Sequence, residues 1–187
     1  MSGRFTPLET PIAGLQLLER RRIGDDRGFF SRVFCVEDLA PFGWDGPAVQ
    51  INESLTRIQG TVRGLHYQNP PFAEQKLVTC VAGRVLDVAV DIRRGSPTFL
   101  KSFATELSAE NGRSLLVPRG FAHGFQALSP DAHLVYAVSA AYAADAEAAL
   151  HCLDPAIGIA WPLPVVNLSP RDSGHAFITG SFEGVAL

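Results

Sequence analysis

The chain has 187 residues, 47% hydrophobic and 19% charged, which suits a folded protein with a substantial core and excludes a disordered one. A net charge of -3 gives no general attraction for nucleic acid or an anionic membrane, so any anion must be held by a local cluster of Arg and Lys. No stretch approaches the roughly 18 uninterrupted apolar residues of a membrane helix, and Met1 to Glu9 shows neither the apolar run nor the cleavage pattern of a signal peptide.

The 17 glycines and 13 prolines are spread along the whole length between short apolar runs, the rhythm of many short strands joined by turns. No repeat or linker interrupts it, so one domain over residues 1–187 is expected. The clearest hairpin is predicted between Lys76 and Arg93. Leu77 to Val81 form one strand and Ala82-Gly83-Arg84 the turn. Val85 to Arg93 then alternates, with Asp87 and Asp91 on one face. Two acids on a strongly strand-forming segment point to a face lining a polar cavity. Ser114 to Val117 reads as a strand stopped by Pro118-Arg119-Gly120, followed by strands over Phe121 to Leu128 and His133 to Ser139. Ser139 to Leu150 favours a helix by its alanines alone. Cys35, Cys80 and Cys152 are odd in number and widely spaced, with no C-x-x-C. They read as inert thiols rather than a disulfide or zinc framework, and a cytoplasmic location is expected.

Two segments could carry chemistry: Gly60 to Gln68 (G-T-V-R-G-L-H-Y-Q) and Val117 to Phe125 (V-P-R-G-F-A-H-G-F). The Pro-x-Gly-x-x-His core of the second resembles the second half of the cupin signature. Metal-binding cupins add a His-x-His pair, but here His66 is followed two residues on by Gln68, a poor ligand for a transition metal. Only His66, Glu74 and His123 could serve, so no metal and no cofactor are expected.

The wider pattern is similar to the dTDP-4-dehydrorhamnose 3,5-epimerase family of metal-free cupins. The resemblance rests on Asp25 to Phe30 (D-D-R-G-F-F), Val49 to Ser54 (V-Q-I-N-E-S), Val62 to Gln68 (V-R-G-L-H-Y-Q) and Lys76 to Val78. It continues through Asp87 to Arg93, Ser96 to Phe99, Pro118 to Phe125, Leu153 to Pro155 and Leu168 to Asp172. These stretches run in family order. The resemblance implies an all-β, cupin-like jelly-roll barrel with strand extensions and few short helices. It also implies strand, loop and strand across the Ala-rich segment, and a homodimer that exchanges strands. The implied substrate is a nucleotide-diphosphate sugar whose 4-keto group acidifies the neighbouring carbons.

Inverting such a carbon needs a base, a stabiliser for the developing enolate, and an acid on the opposite ring face. The resemblance assigns His66 as base with Asp172 orienting it, Lys76 at the enolate oxygen, and Tyr136 as the acid. It assigns Arg27 and Arg63 to the diphosphate, as suits guanidinium forks. Phe30, Gln50 and Asn52 fall to the nucleotide base, Tyr142 to the sugar or nucleotide, and His123 with Asp87 to a supporting pair. Three positions depart from the family pattern. Arg32 stands where Glu is frequent, Tyr136 to Ser139 is Y-A-V-S rather than Y-K-x-T, and Cys152-Leu153 stands before Asp154-Pro155 where an aromatic residue and Asn are usual. These departures leave open inversion at a single carbon, or a GDP- or CDP-linked substrate.

Overall fold

The computed structural model describes residues 3–187, folded as two facing antiparallel sheets with little helix. In chain order the elements are β1 (Phe5–Leu8), β2 (Gln16–Arg20), β3 (Arg22–Asp25), β4 (Gly28–Ser31), α1 (Val36–Leu39), β5 (Gln50–Thr56) and β6 (Val62–Gln68). There follow β7 (Lys76–Ala82), β8 (Arg84–Asp91), β9 (Ser102–Ser108), β10 (Arg113–Val117), β11 (Phe121–Ala127), β12 (Ala132–Val138), β13 (Glu147–Ala149) and α2 (Pro170–Ser173). One sheet runs β1-β2-β10-β7-β12-β5 and the other β13-β6-β11-β8-β9, while β3 and β4 form a separate two-stranded ribbon. This is the all-β jelly-roll architecture that the motifs imply.

Directly opposed residues of antiparallel strands share a face, so the register shows how the core grades into a cavity. Across the first sheet one inward row reads Leu17, Leu115, Val78, Tyr136, Asn52. Across the second it reads Phe103, Ala89, His123, His66. Each row begins among buried apolar residues and ends in polar ones. Burial of the apolar ends supplies the main folding drive, and the polar ends are left facing each other across a gap.

The predicted hairpin is corrected. Its two strands form where expected, as β7 and β8, but they do not pair. β7 lies between β10 and β12, and β8 between β11 and β9. The connection at Gly83 (φ +67°) carries the chain from one sheet to the other. A Cβ there would come within 2.5 Å of Ser129 Oγ, so this crossing admits only glycine without a shift.

Both faces of β8 are buried, in contrast to the polar face expected. Val85 and Ala89 enter the core between the sheets, while Val88, Val90 and Ile92 pack beneath Leu150, Ile157 and Val185. Of the two acids, Asp87 supports the cavity. Asp91 instead caps the following loop, accepting hydrogen bonds from Arg93, Ser96 and Thr98.

The Ala-rich segment forms no α-helix, only a short 3-10 turn (Ala144–Ala146) and then β13. Tertiary partners take the backbone groups a helix would use. Ser139 N–H donates to Gln75 O, Tyr142 N–H to Gln50 Oε1, Ala143 N–H to Gln68 Oε1, and Ala141 O accepts from Gln68 Nε2. These outweigh an alanine preference of a few tenths of a kcal/mol per residue, about the scale of helix propensities.

Candidate active site

A cavity of about 340 Å³ opens between the polar ends of the sheets. Its walls include Gln50, Asn52 and Ser54 of β5, Arg63 and His66 of β6, Lys76 of β7, His123 of β11, and Tyr136 of β12. Tyr142 and Glu147 stand at its rim.

His66 reaches the cavity because β6 and β11 approach closely beside it. Gly64 has φ +127°, and a Cβ on it would lie 2.5 Å from Gly124 Cα. The register between the strands also shifts between His123 and Phe125. The glycines of R-G-L-H and A-H-G-F are therefore packing requirements that bring the two histidines opposite one another.

His66 Nε2 lies 2.7 Å from Asp172 Oδ1, on α2. A carboxylate only accepts, so the shared proton sits on Nε2 and Nδ1 keeps its lone pair. Burial lowers the pKa of His66 from its ordinary 6.5, outweighing the opposing pull of Asp172; Lys76 and Arg171 lower it further. The imidazole is thus neutral near pH 7 and able to take a proton. Asp172 is itself buried, and its N–H donates to Ser169 Oγ, the N-cap of α2.

Lys76 Nζ donates to His66 O at 3.3 Å and pairs with Glu74 Oε1 at 3.0 Å, both side chains being largely buried. An ammonium has three donors, and the third has no partner among the described residues. Tyr136 stands beside this group on β12, the neighbouring strand of the same sheet. Burial raises its phenol above the ordinary 10, with Arg63 opposing and Glu74 adding, so it stays protonated as a donor. His123 Nε2 donates to Asp87 Oδ1 at 2.9 Å, with Asp87 wholly buried behind it. Asn52 Oδ1 accepts from Gln50 Nε2 at 2.7 Å. Arg63 donates to Thr56 Oγ1 and Leu55 O, so its position is fixed by the end of β5.

The structure therefore brings together His66, Asp172, Lys76, Tyr136, Gln50, Asn52, Arg63, Asp87, His123 and Tyr142. It does not bring Arg27 and Phe30 to this cavity. Both lie on the β3–β4 ribbon beside a separate shallow groove, Phe30 60% exposed and Arg27 paired with Asp25. Arg32, just beyond β4, pairs with Asp38 at 2.8 Å.

The sequence assigns four residues no part in the proton chemistry or substrate contacts, Gln68 and Glu74 being weighed only as metal ligands. Gln68, at the place of the second cupin histidine, ties the rim loops through Phe72 O, Glu74, Ala141 O and Ala143 N. Glu74 neutralises Lys76. Glu147 and Arg171 form an ion pair beside the dyad. Isolated charges within unremarkable segments gave no signal, although Arg171 directly precedes Asp172 and Glu74 stands two residues before Lys76.

The family model described as dTDP-4-dehydrorhamnose 3,5-epimerase matches residues 9–179. The dTDP-4-dehydrorhamnose 3,5-epimerase of Sinorhizobium fredii is 50% identical over 165 residues, 88% of this chain and 85% of its own length. Among solved structures, the dTDP-6-deoxy-D-glucose-3,5-epimerase of Legionella pneumophila in complex with dTDP-4-keto-L-rhamnose superposes with a TM-score of 0.90. It is 39% identical, and the match covers 97% of this chain and 98% of that one. A 3'-monoepimerase of Streptomyces bikiniensis in complex with dTDP-quinovose gives 0.84 at 36% identity, covering 90% and 85%. With a family model spanning nearly all of the sequence and relatives of this identity over most of both lengths, the chain belongs to the dTDP-4-dehydrorhamnose 3,5-epimerase family.

Proposed function

We propose that this protein epimerises C3 and C5 of a dTDP-linked 4-keto-6-deoxy sugar, the conversion of dTDP-4-dehydro-6-deoxyglucose to dTDP-4-dehydrorhamnose. The observation that carries the reading is the His66–Asp172 dyad facing Tyr136 and Lys76 across one cavity.

His66 Nδ1 takes the proton from the carbon beside the ketone. The C–H electrons move into the ring bond and the carbonyl electrons onto O4, giving an enolate. The unpartnered N–H of Lys76 donates to that oxygen and stabilises it where charge develops. As the carbonyl re-forms, Tyr136 delivers its phenolic proton to the opposite face of the carbon, which inverts. Water then reprotonates the phenolate and His66 releases its proton to solvent. Asp172 fixes the tautomer and stabilises the transient imidazolium. No cofactor enters any step.

Arg63 supplies one guanidinium for the diphosphate. The second, Arg27, and the aromatic Phe30 would reach a cavity from the β3–β4 ribbon of a second copy. This supports a homodimer, as do the exposed Phe29, Phe30 and Ile51 and the wholly apolar hollow between Val33, Phe34, Ile51 and Val135. A monomer by light scattering at micromolar concentration would remove the dimer. The nucleotide-sugar substrate and the three unpaired cysteines support action in the cytoplasm.

Proton NMR of dTDP-4-keto-6-deoxyglucose in deuterium oxide tests the function. Loss of both the C3 and C5 signals is expected, and full loss retained in His66→Ala would refute the base assignment. Loss of one signal would assign single-carbon inversion, the reaction type named for the 3'-monoepimerase relative. Loss of neither would reject this substrate, and GDP- and CDP-linked sugars would be compared next.

A further inference from the structure

His66 and Asp172 are 106 residues apart and meet at 2.7 Å, yet α2, which carries Asp172, is a single turn. Its own bonds, Ser169 Oγ to Asp172 N–H and Ser169 O to Ser173 N–H, shape the turn without locating it against β6. Two ties do locate it. On one side Val166 N–H donates to Gly60 O at 3.1 Å and Asn167 Nδ2 to Thr61 Oγ1 at 3.2 Å. On the other, Arg171 is ion-paired to Glu147.

Glu147 is well placed for this task. It begins β13, which pairs with β6 in the register Glu147 to Gln68 and Ala149 to His66. One carboxylate oxygen accepts from Arg171 and the other from Tyr142 OH at 2.8 Å. A single anion thus joins the strand beside the base, the turn bearing its partner, and the rim tyrosine. Burial would raise this carboxyl, but the hydrogen bonds from Arg171 and Tyr142 outweigh it and hold its pKa below the ordinary value, so it is charged at neutral pH. Arg171 is half exposed, and ion pairs of that kind contribute little to overall stability. The value of this one is geometric.

We infer that Glu147 is a positioning residue that sets Asp172 against His66 through Arg171. The inference rests on the reading of His66–Asp172 as the proton-abstracting pair. A displacement of about 1 Å in such a pair can cost about 100-fold in rate.

Glu147→Gln keeps the size and can still accept from Tyr142, but removes the charge that holds Arg171. The expected result is a fall in kcat for C3 and C5 proton exchange of about 10- to 100-fold, with KM little changed and an unaltered melting temperature. In protein carrying 15N-histidine, the hydrogen-bonded Nε2–H resonance of His66 should weaken or move upfield. Glu147→Asp, shorter but anionic, should fall between the two in both readouts. A Gln variant exchanging at the wild-type rate with the resonance unmoved would overturn the inference. Should that variant fail to fold, Arg171→Gln cuts the same tie from the other end and is read in the same way. Absence of exchange in the wild-type chain would instead remove the functional reading, and the His66 resonance would still decide whether Glu147 positions the pair.

Discussion

Asp172→Asn is the substitution that most directly tests how the dyad works. The asparagine keeps the shape of a buried side chain that meets Nε2 at 2.7 Å, so the change is in charge and donor pattern rather than packing. If the amide carbonyl faces Nε2, a hydrogen bond survives but its ionic strengthening is lost. A bond to a charged group is worth about 1.5–3 kcal/mol against about 0.5–1.5 kcal/mol for a neutral one, and the difference of about 1–1.5 kcal/mol sets a floor of about a 5- to 13-fold loss in kcat at about 1.36 kcal/mol per decade. If the amide turns its NH2 to Nε2, the tautomer inverts, Nδ1 carries the proton, and the base is blocked; in a serine-protease triad the same replacement costs about 10⁴-fold. The pH dependence separates this from a general loss of activity. His66 must be unprotonated, so kcat/KM falls as pH drops through its pKa, which burial already holds below 6.5 while Asp172 pulls it upward. Removing that pull must move the acid limb to lower pH. Deuterium incorporation at C3 and C5, measured across the acid limb for both proteins, gives the two quantities together. A wild-type rate, or an acid limb displaced upward, would refute the pairing as described.

Tyr136→Phe should abolish inversion while solvent exchange persists, because His66 can return a solvent-derived proton to the face it came from; NMR in deuterium oxide would show labelled but uninverted sugar. Gly64→Ala should destabilise the fold by about 2 kcal/mol or more and depress activity with it, since φ +127° and the 2.5 Å approach to Gly124 leave a methyl no room two residues before His66; urea unfolding and kcat measure both effects. Asp91→Asn should be felt as stability alone. Burial raises that carboxyl, but Arg93, Ser96 and Thr98 hold it down at about 2. Its stabilisation, about 2 kcal/mol, is therefore present above the unfolded pKa near 3.8 and lost as pH falls through about 2, so the variant should be weaker at neutral pH and equal to the wild type in strong acid.

Alternation along a segment reports which side chains share a face, and that is why β7, β8, β10, β11 and β12 stand close to where the sequence places them. It does not report partners. Ala82-Gly83-Arg84 has the length and the left-handed glycine of a hairpin turn, and the same features serve a chain stepping between facing sheets. Only the long-range partners on β10, β11 and β12 distinguish the two. The Ala-rich segment makes the complementary point. Its local preference is helical, and side chains as distant as Gln50 and Gln68 override it by taking its backbone groups.

The dyad, Lys76 and Tyr136 were legible through the family resemblance, and only His66 (R-G-L-H) and Asp172 (L-S-P-R-D) sit in motifs whose glycine or proline adds a local steric demand. Glu147 and Arg171 were not, because their role exists only once β13 lies against β6. Arg27 and Phe30 mark the boundary between the two cases. Their motif, D-D-R-G-F-F, is as specific as R-G-L-H, yet within one chain it ends in two exposed phenylalanine rings and a guanidinium paired only with Asp25. A ribbon that holds apolar rings in water costs free energy unless something covers them. The cavity of the same chain offers one guanidinium, Arg63, for a diphosphate that carries more than one charge. The second copy proposed above would resolve both deficits at once, covering the rings and supplying the second cation.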